Sequence, residues 1–275
     1  MDKNAIKAVW DDLESRVPHA KNEYMGEDGL LHCGICHAKV QTKVSLFDEE
    51  RIVRCICDCV KKERDSFEER QRREEMERRR KICFAETNMG SWTFENDNRE
   101  NAQLSDAMMN YAKQFSEFKK DGQGLLLSGT VGTGKTYFAA CIANYLIDHG
   151  YKVLMKNFSQ LINKIQGTFD GKQDIIDDLN RYPLLILDDL GAERKSEYMQ
   201  EMVFNIIDAR YRSGLPFIIT TNIPLEEIKK PQDLTCSRIY DRILERCFPI
   251  EVQGNSKRRQ AVKDRYFDTK KKLGL

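Results

Sequence analysis

The sequence predicts an α/β fold: a parallel sheet of five short strands with helices on both faces, preceded by a small cysteine-rich module. Three observations predict it. Gly129-Thr130-Val131-Gly132-Thr133-Gly134-Lys135-Thr136 satisfies GxxxxGK[ST] between an apolar strand and a helix. Four later apolar runs, separated by helical patterns, give the alternation of strand and helix that a parallel sheet needs. Cys33-Gly34-Ile35-Cys36 is followed about twenty residues on by Cys55-Ile56-Cys57-Asp58-Cys59, the spacing of a structural zinc site.

Size and composition set the limits. The 275 residues hold one large domain and a small one, and 40% apolar with 32% charged content suits a water-exposed surface. No stretch approaches the ~18 uninterrupted apolar residues of a membrane span, and Met1-Asp2-Lys3-Asn4 leads into an amphipathic pattern rather than a signal peptide. Nine cysteines without an export signal argue for reduced thiols or metal. The expected compartment is the cytoplasm. A net charge of +1 requires any basic surface to be local.

In the N-terminal third, Ile6, Val9, Trp10, Leu13 and Val17 recur at helical spacing over residues 3–17. That stripe packs on its own module or is offered to a partner protein. Four thiolates would replace the core so short a segment cannot build. Cys33 and Cys36 supply two; any two of Cys55, Cys57 and Cys59 complete the set, with His32 or His37 as substitutes. Val44 to Phe47 and Ile52-Val53 read as a hairpin around Asp48-Glu49-Glu50. Val60 to Lys81 is nearly all Lys, Arg, Glu and Gln, a solvated helical linker. The expected organisation is a helix and zinc module over 1–60, a linker over 61–84 and a nucleotide-binding domain over 85–275.

That domain begins with Met89 to Phe94, whose Trp92 and Phe94 pack in the core or near a base, and a helix over 102–118. The first strand, Leu125 to Ser128, feeds the glycine loop, and a helix runs from Tyr137 to His149. Backbone N–H groups and the helix dipole make the loop an anion cradle. Lys135 is expected on the β- and γ-phosphates of a nucleoside triphosphate and Thr136 on Mg²⁺. A second strand covers Val153 to Met155. The third, Leu184-Leu185-Ile186-Leu187, ends in Asp188-Asp189. Asp188 would hold the metal-bound water and Asp189 polarise the attacking water. A helix over 196–212 leads to the fourth strand, Phe217 to Thr221, which ends in Asn222. That amide senses the γ-phosphate, or is a turn residue before Pro224. A helix over 233–247 carries Arg238, Arg242 and Arg246, residues 248–252 form the fifth strand, and a basic helix closes the chain over 256–272.

LLILDDLGAERKSEY, FIITTNIPLEEI and SRIYDRILERC, together with the loop, resemble AAA+ ATPases of the DnaC-type replicative helicase loaders and the related IstB-type transposition helpers. The resemblance covers residues 85 to about 265; the cysteine module is more loosely similar to that of loaders in Gram-positive bacteria and their phages. It implies the strand order 5-1-4-3-2. Gly129 through Thr136, with Thr130, Val131 and Thr133 included, become Walker A; Asp188 and Asp189, Walker B; and Asn222, sensor I. Arg242 falls at the arginine finger, with Arg238 one turn earlier as the competing candidate, and Arg258 at sensor II. The shorter Asp189 stands where many AAA+ proteins have Glu. The usual helical lid is missing, which favours ATP-dependent assembly into an open ring or spiral. Lys164, Phe169, Ser196 and Tyr198 would line a channel for single-stranded DNA. The implied function is ATP-dependent loading of a hexameric replicative helicase onto single-stranded DNA, the N-terminal third docking the helicase. The alternative is a helper that presents target DNA to a transposase.

Overall fold

The computed structural model describes residues 12, 15–46, 49–85, 87–191, 197–231, 233–254, 256, 262, 265–266 and 269–273. The chain divides into two compact units, residues 1–75 and 76–275. Most of the helix expected over 3–17, and about half of the basic helix expected over 256–272, lie outside the described residues.

In the first unit, β1 (Tyr24–Met25) pairs antiparallel with β2 (Leu31–His32), and β3 (Gln41–Leu46) with β4 (Glu49–Arg54). The second pair is the expected hairpin. Among the described residues the core here is small: Cys33, Val40 and Cys57 are buried, with Ala20, Leu31, Ala38, Cys59 and Val60 packed against them.

The charged helix α1 (Asp58–Phe84) is longer than the linker predicted. Residues 61–75 are exposed throughout, as a solvated helix requires. Its last turns differ from that expectation. Cys83 and Phe84 are buried in the core of the second unit, and Arg80 donates from Nε to Asn144 Oδ1 at 3.1 Å and pairs with Asp148.

The second unit continues with α2 (Ala102–Lys113) and α3 (Phe115–Asp121). One helix was expected over 102–118; it breaks at Gln114, whose φ −96°, ψ 16° leave the helical region. Phe115, 1% exposed, sits against Tyr111 and Tyr151 just past the break. There follow β5 (Gly124–Ser128), α4 (Lys135–Asp148), β6 (Val153–Asn157), α5 (Phe158–Gly167), α6 (Lys172–Leu179), β7 (Leu184–Leu190), α7 (Glu197–Ser213), β8 (Phe217–Thr221), α8 (Leu225–Lys229), α9 (Leu234–Arg246) and β9 (Cys247–Glu251). The sheet is parallel throughout, in the order β6-β7-β8-β5-β9. Counted from the strand before the glycine loop, that is the expected 5-1-4-3-2.

Alternate residues of each strand feed two separate cores. Leu125, Leu127, Leu184 and Ile186 pack with α2 and α4, while Leu126, Leu185, Leu187 and Ile219 pack with α5, α6, α7 and α9. Strands buried on both faces read as unbroken apolar runs, which is why each was legible. The carboxyl ends of β5, β7 and β8 meet at one edge, where such folds bind ligands.

Candidate nucleotide site and metal centre

The glycine loop joins the end of β5 to the start of α4, and two of its glycines are sterically required. A Cβ on Gly129 (φ 154°) would lie 2.3 Å from the Val252 carbonyl oxygen, and one on Gly132 (φ 88°) 2.2 Å from Ser256 Oγ. Thr133 closes the turn by donating to Thr130 O at 3.0 Å. Lys135 begins α4 and is buried; its Nζ donates to Gly129 O at 2.7 Å, Thr130 O at 2.8 Å and Asn222 Oδ1 at 2.8 Å. Asn222 is thus bonded directly to the lysine of the glycine loop. Its side chain ties the end of β8 to the ammonium that phosphates would engage.

A second set of hydrogen bonds joins α4 to β7 and β8. Asp188 Oδ1 accepts from Thr136 Oγ1 at 2.9 Å and from Thr220 Oγ1 at 2.6 Å. Burial pushes the Asp188 carboxyl above the usual carboxylate range, against the pull of the Thr220 and Thr136 hydroxyls. Asp189 has φ 61° and lies in a register shift of β7 against β8 between Leu187 and Leu190. Such a bulge breaks side-chain alternation, and left-handed backbone at a non-glycine residue costs about 1–3 kcal/mol. The strain is held by Thr220, whose Oγ1 accepts from Asp189 N at 3.0 Å. Thr220 thus grips both acids, a role sequence reasoning missed because the residue reads as an ordinary strand Thr. Its one signal is a hydroxyl two residues before the strand-end amide.

The arginines of α9 differ sharply in surroundings. Arg242 Nε donates to Asp208 Oδ1 at 2.7 Å, and its guanidinium lies 4.6 Å from the Phe204 ring centre and 5.7 Å from that of Tyr211. Asp208 is buried on α7 and also pairs with Arg212. Arg238 is exposed and its guanidinium has no hydrogen-bond or ionic partner among the described residues. Of the residues expected to face DNA, Phe169 is completely exposed between α5 and α6, and Lys164 is exposed near the end of α5. Tyr198 packs partly against the core, with its hydroxyl 3.4 Å from Lys172 Nζ. Ser196 and Arg258 lie outside the described residues.

A family profile described as IstB-like ATP binding protein matches residues 56–264. The chain belongs to the IstB-like ATP-binding family. The chain is similar to the replicative helicase loader DnaC of Buchnera aphidicola, 30% identical over 142 residues, half of this chain and 55% of that protein. It is also similar to the replicative helicase loader DnaI of Bacillus subtilis, 26% identical over 160 residues, 54% of this chain and 51% of that one. The chain thus spans about half the length of the curated relatives it matches. A crystal structure of DnaI aligns with a TM-score of 0.54 at 25% identity, over 66% of this chain and 99% of the other.

The family match begins one residue before Cys57, so Cys33 and Cys36 precede it. The structure nonetheless brings the Sγ atoms of Cys33, Cys36, Cys57 and Cys59 all within 4.8 Å of one another. Cys33 and Cys59 are 3.4 Å apart, Cys57 and Cys59 3.2 Å. Four Zn–S bonds of ~2.3 Å in a tetrahedron set sulfurs roughly 3.8 Å apart, so the donors fit zinc. Backbone N–H groups of Cys36 and Ile35 bring the Cys33 thiol down to about 6, while its neighbours Cys57 and Cys33 push the Cys59 thiol well above the usual range. Cys55 drops out of the candidate ligands: its Sγ faces Lys39 O at 3.5 Å. The histidines are engaged elsewhere, His32 with Asp28 and His37 O, His37 with Tyr24. Among the described residues no helix is long and apolar enough to cross a membrane.

Proposed function

We propose that this protein is an ATP-hydrolysing loader that places a hexameric replicative DNA helicase on single-stranded DNA. The observation that carries the reading is one hydrogen-bonded set, Lys135 with Asn222 and Thr136 with Asp188 and Thr220, at the carboxyl edge of the sheet. The helicase-loader names of the similar proteins supply the substrate of that machinery.

On nucleotide binding, Lys135 exchanges its loop carbonyls and Asn222 for β- and γ-phosphate oxygens. Thr136 and Asp188 would hold Mg²⁺, which when bound neutralises charge developing on the transferred phosphoryl group. Asp189 accepts the proton of the attacking water, and the Asn222 amide, released from Lys135, orients that water. An arginine from a neighbouring copy completes the site in an ATP-dependent homo-oligomer. Arg242 of α9 is the first candidate for this role, with Arg238 one turn earlier as the competing one. The Gly129–Thr136 loop holds the triphosphate, with Arg258 as a further phosphate contact. The N-terminal module, organised by Zn²⁺ on Cys33, Cys36, Cys57 and Cys59, docks the helicase, while Phe169, Lys164, Ser196 and Tyr198 meet the DNA.

The test is co-purification of the intact protein with a replicative helicase, together with ATP turnover measured with and without single-stranded DNA. Helicase capture and DNA-stimulated turnover are expected; absence of both rejects the reading. A second reading, a transposition helper that presents target DNA, is favoured by the IstB-like description of the matching family. It predicts capture of a transposase and none of a helicase.

A further inference from the structure

We infer that Ser128 and Thr221 are positioning residues for Asn222: their buried hydroxyls fasten the chain around it and so fix where its amide stands between the glycine loop and the acid pair. The inference rests on the proposed role of Asn222 in hydrolysis, and it deepens that reading.

Asn222 is exposed just past the end of β8, so packing does little to hold its side chain. Among the described residues that side chain bonds only to Lys135 Nζ, at 2.8 Å, a bond that the proposed nucleotide binding exchanges for phosphate oxygens. From then on the amide is placed by its backbone. That backbone has just left the sheet, since Thr221 is the last residue of β8 and Pro224 already caps α8.

Both neighbours of Asn222 are pinned. Thr221 Oγ1 donates to Leu190 O of β7 at 2.7 Å and accepts from Ile223 N at 3.1 Å, a hydroxyl-closed turn around Asn222. Ser128 Oγ, at the end of β5, donates to Ile223 O at 2.7 Å. Asn222 is thus suspended between the strand that carries the acids and the strand that feeds the glycine loop. The ladder agrees, with Thr221 opposite Leu190 on one side and Ser128 on the other. The Ile223 side chain completes the seat: it packs on the core so near Gly191 that a Cβ there would lie 2.6 Å from Ile223 Cδ1.

The sheet itself needs neither hydroxyl. Ser128 is 1% exposed and Thr221 fully buried, and a buried hydroxyl is unfavourable unless it is bonded. An apolar residue would fill either position. What these bonds add is a fixed path for residues 222 and 223. An amide that orients an attacking water depends on that path, because misplacement by about 1 Å can cost on the order of 100-fold.

The experiment is a double-mutant cycle in single-turnover ATP hydrolysis with the intact chain. Ser128→Ala should lower the rate on the order of 10-fold and leave ATP and ADP affinity unchanged. In the Asn222→Ala background the same change should cost nothing further, because residues that act as one unit are not additive. Thr221→Val should behave like Ser128→Ala, whereas Thr221→Ser keeps the hydroxyl and should hydrolyse like wild type. If Ser128→Ala fails to fold, the Thr221→Val and Thr221→Ser variants carry the same cycle. A hydroxyl that only stabilised the fold would slow the reaction by the same factor with or without the Asn222 amide and would weaken nucleotide binding too; that result overturns the inference. Wild-type rates in both Ser128→Ala and Thr221→Val, beside a slow Asn222→Ala, also overturn it and leave the proposed role of Asn222 standing. Should Asn222→Ala itself hydrolyse like wild type, that role fails and the inference falls with it.

Discussion

Thr220 is the residue on which the geometry of the acid pair turns, and its removal is the sharpest test of that geometry. It is fully buried at the end of β8. Its hydroxyl donates to Asp188 at 2.6 Å and accepts from Asp189 N at 3.0 Å, one bond to each acid. Thr220→Val keeps the shape and deletes both. Losing the bond to a charged acceptor costs about 1.5–3 kcal/mol, and a backbone N–H left without a partner about 1–3 more. A loss of about 3–5 kcal/mol is expected. At roughly 2–4 °C per kcal/mol for a unit of this size, the melting temperature should fall by roughly 6–20 °C. Turnover should drop on the order of 10- to 100-fold, because the left-handed Asp189 loses the contact that holds it. Thr220→Ser keeps the hydroxyl and loses only a methyl, about 1 kcal/mol, so it should stay near wild type in turnover. Thermal unfolding with and without Mg-ATP, alongside single-turnover hydrolysis, reads both effects. A Val variant that melts and hydrolyses like wild type would falsify the assignment.

Three further outcomes follow from other parts of the structure. The Asp188 carboxyl is raised in the folded state by burial, so the native protein binds protons more tightly there than the unfolded chain, and stability falls as pH rises from the ordinary carboxylate range through the raised value. Asp188→Asn should therefore raise the melting temperature of the nucleotide-free protein at neutral pH, lose that advantage in acid and abolish hydrolysis; equal gains at every pH would contradict the sign. Elemental analysis should find about one zinc per chain, retained in Cys55→Ser and lost in Cys59→Ser; zinc loss in Cys55→Ser would reject the ligand set. Phe169 is fully exposed, so Phe169→Ala should leave stability alone while weakening single-stranded DNA binding about tenfold, the loss of one stacking contact of 1–3 kcal/mol; unchanged fluorescence-anisotropy titrations would remove Phe169 from the DNA path.

The sheet was legible because its strands are short apolar runs that end in polar, chemistry-bearing residues. Asp188 and Asn222 were singled out by that rule, and they are hydrogen-bonded to Thr136 and Lys135 of the loop and its helix. Thr220 was not, since a hydroxyl inside a β-branched strand carries no mark of what it grips across 32 residues of sequence. The same limit hid Asp208, which in sequence is one more polar residue on an amphipathic helix; only the approach of α9 to α7 reveals it as buried and doubly paired. Spacing alone left three cysteines competing for two ligand positions. The choice was made by the start of α1: Cys57 leads into it and Cys59 lies in its first turn, while Cys55 stands where the chain leaves β4 and bonds back to Lys39. Composition likewise gave α1 a single solvated character, although its last turns carry Cys83 and Phe84 into the larger core.

The register shift in β7 resolves a geometric difficulty posed by two adjacent acids. In a regular strand, neighbouring side chains point to opposite faces of the sheet, so Asp188 and Asp189 could not both serve one site. Asp188 keeps the pairing expected of it, with Asn157 opposite on β6. On the β8 side the ladder is interrupted until Leu190 meets Thr221. The interruption falls on Asp189, whose left-handed backbone breaks the alternation there. Glycine would adopt that conformation without strain, so the aspartate is retained against its backbone cost, and the Thr220 hydroxyl supplies a compensating bond. A strained non-glycine residue is the kind found at working sites rather than in scaffolding.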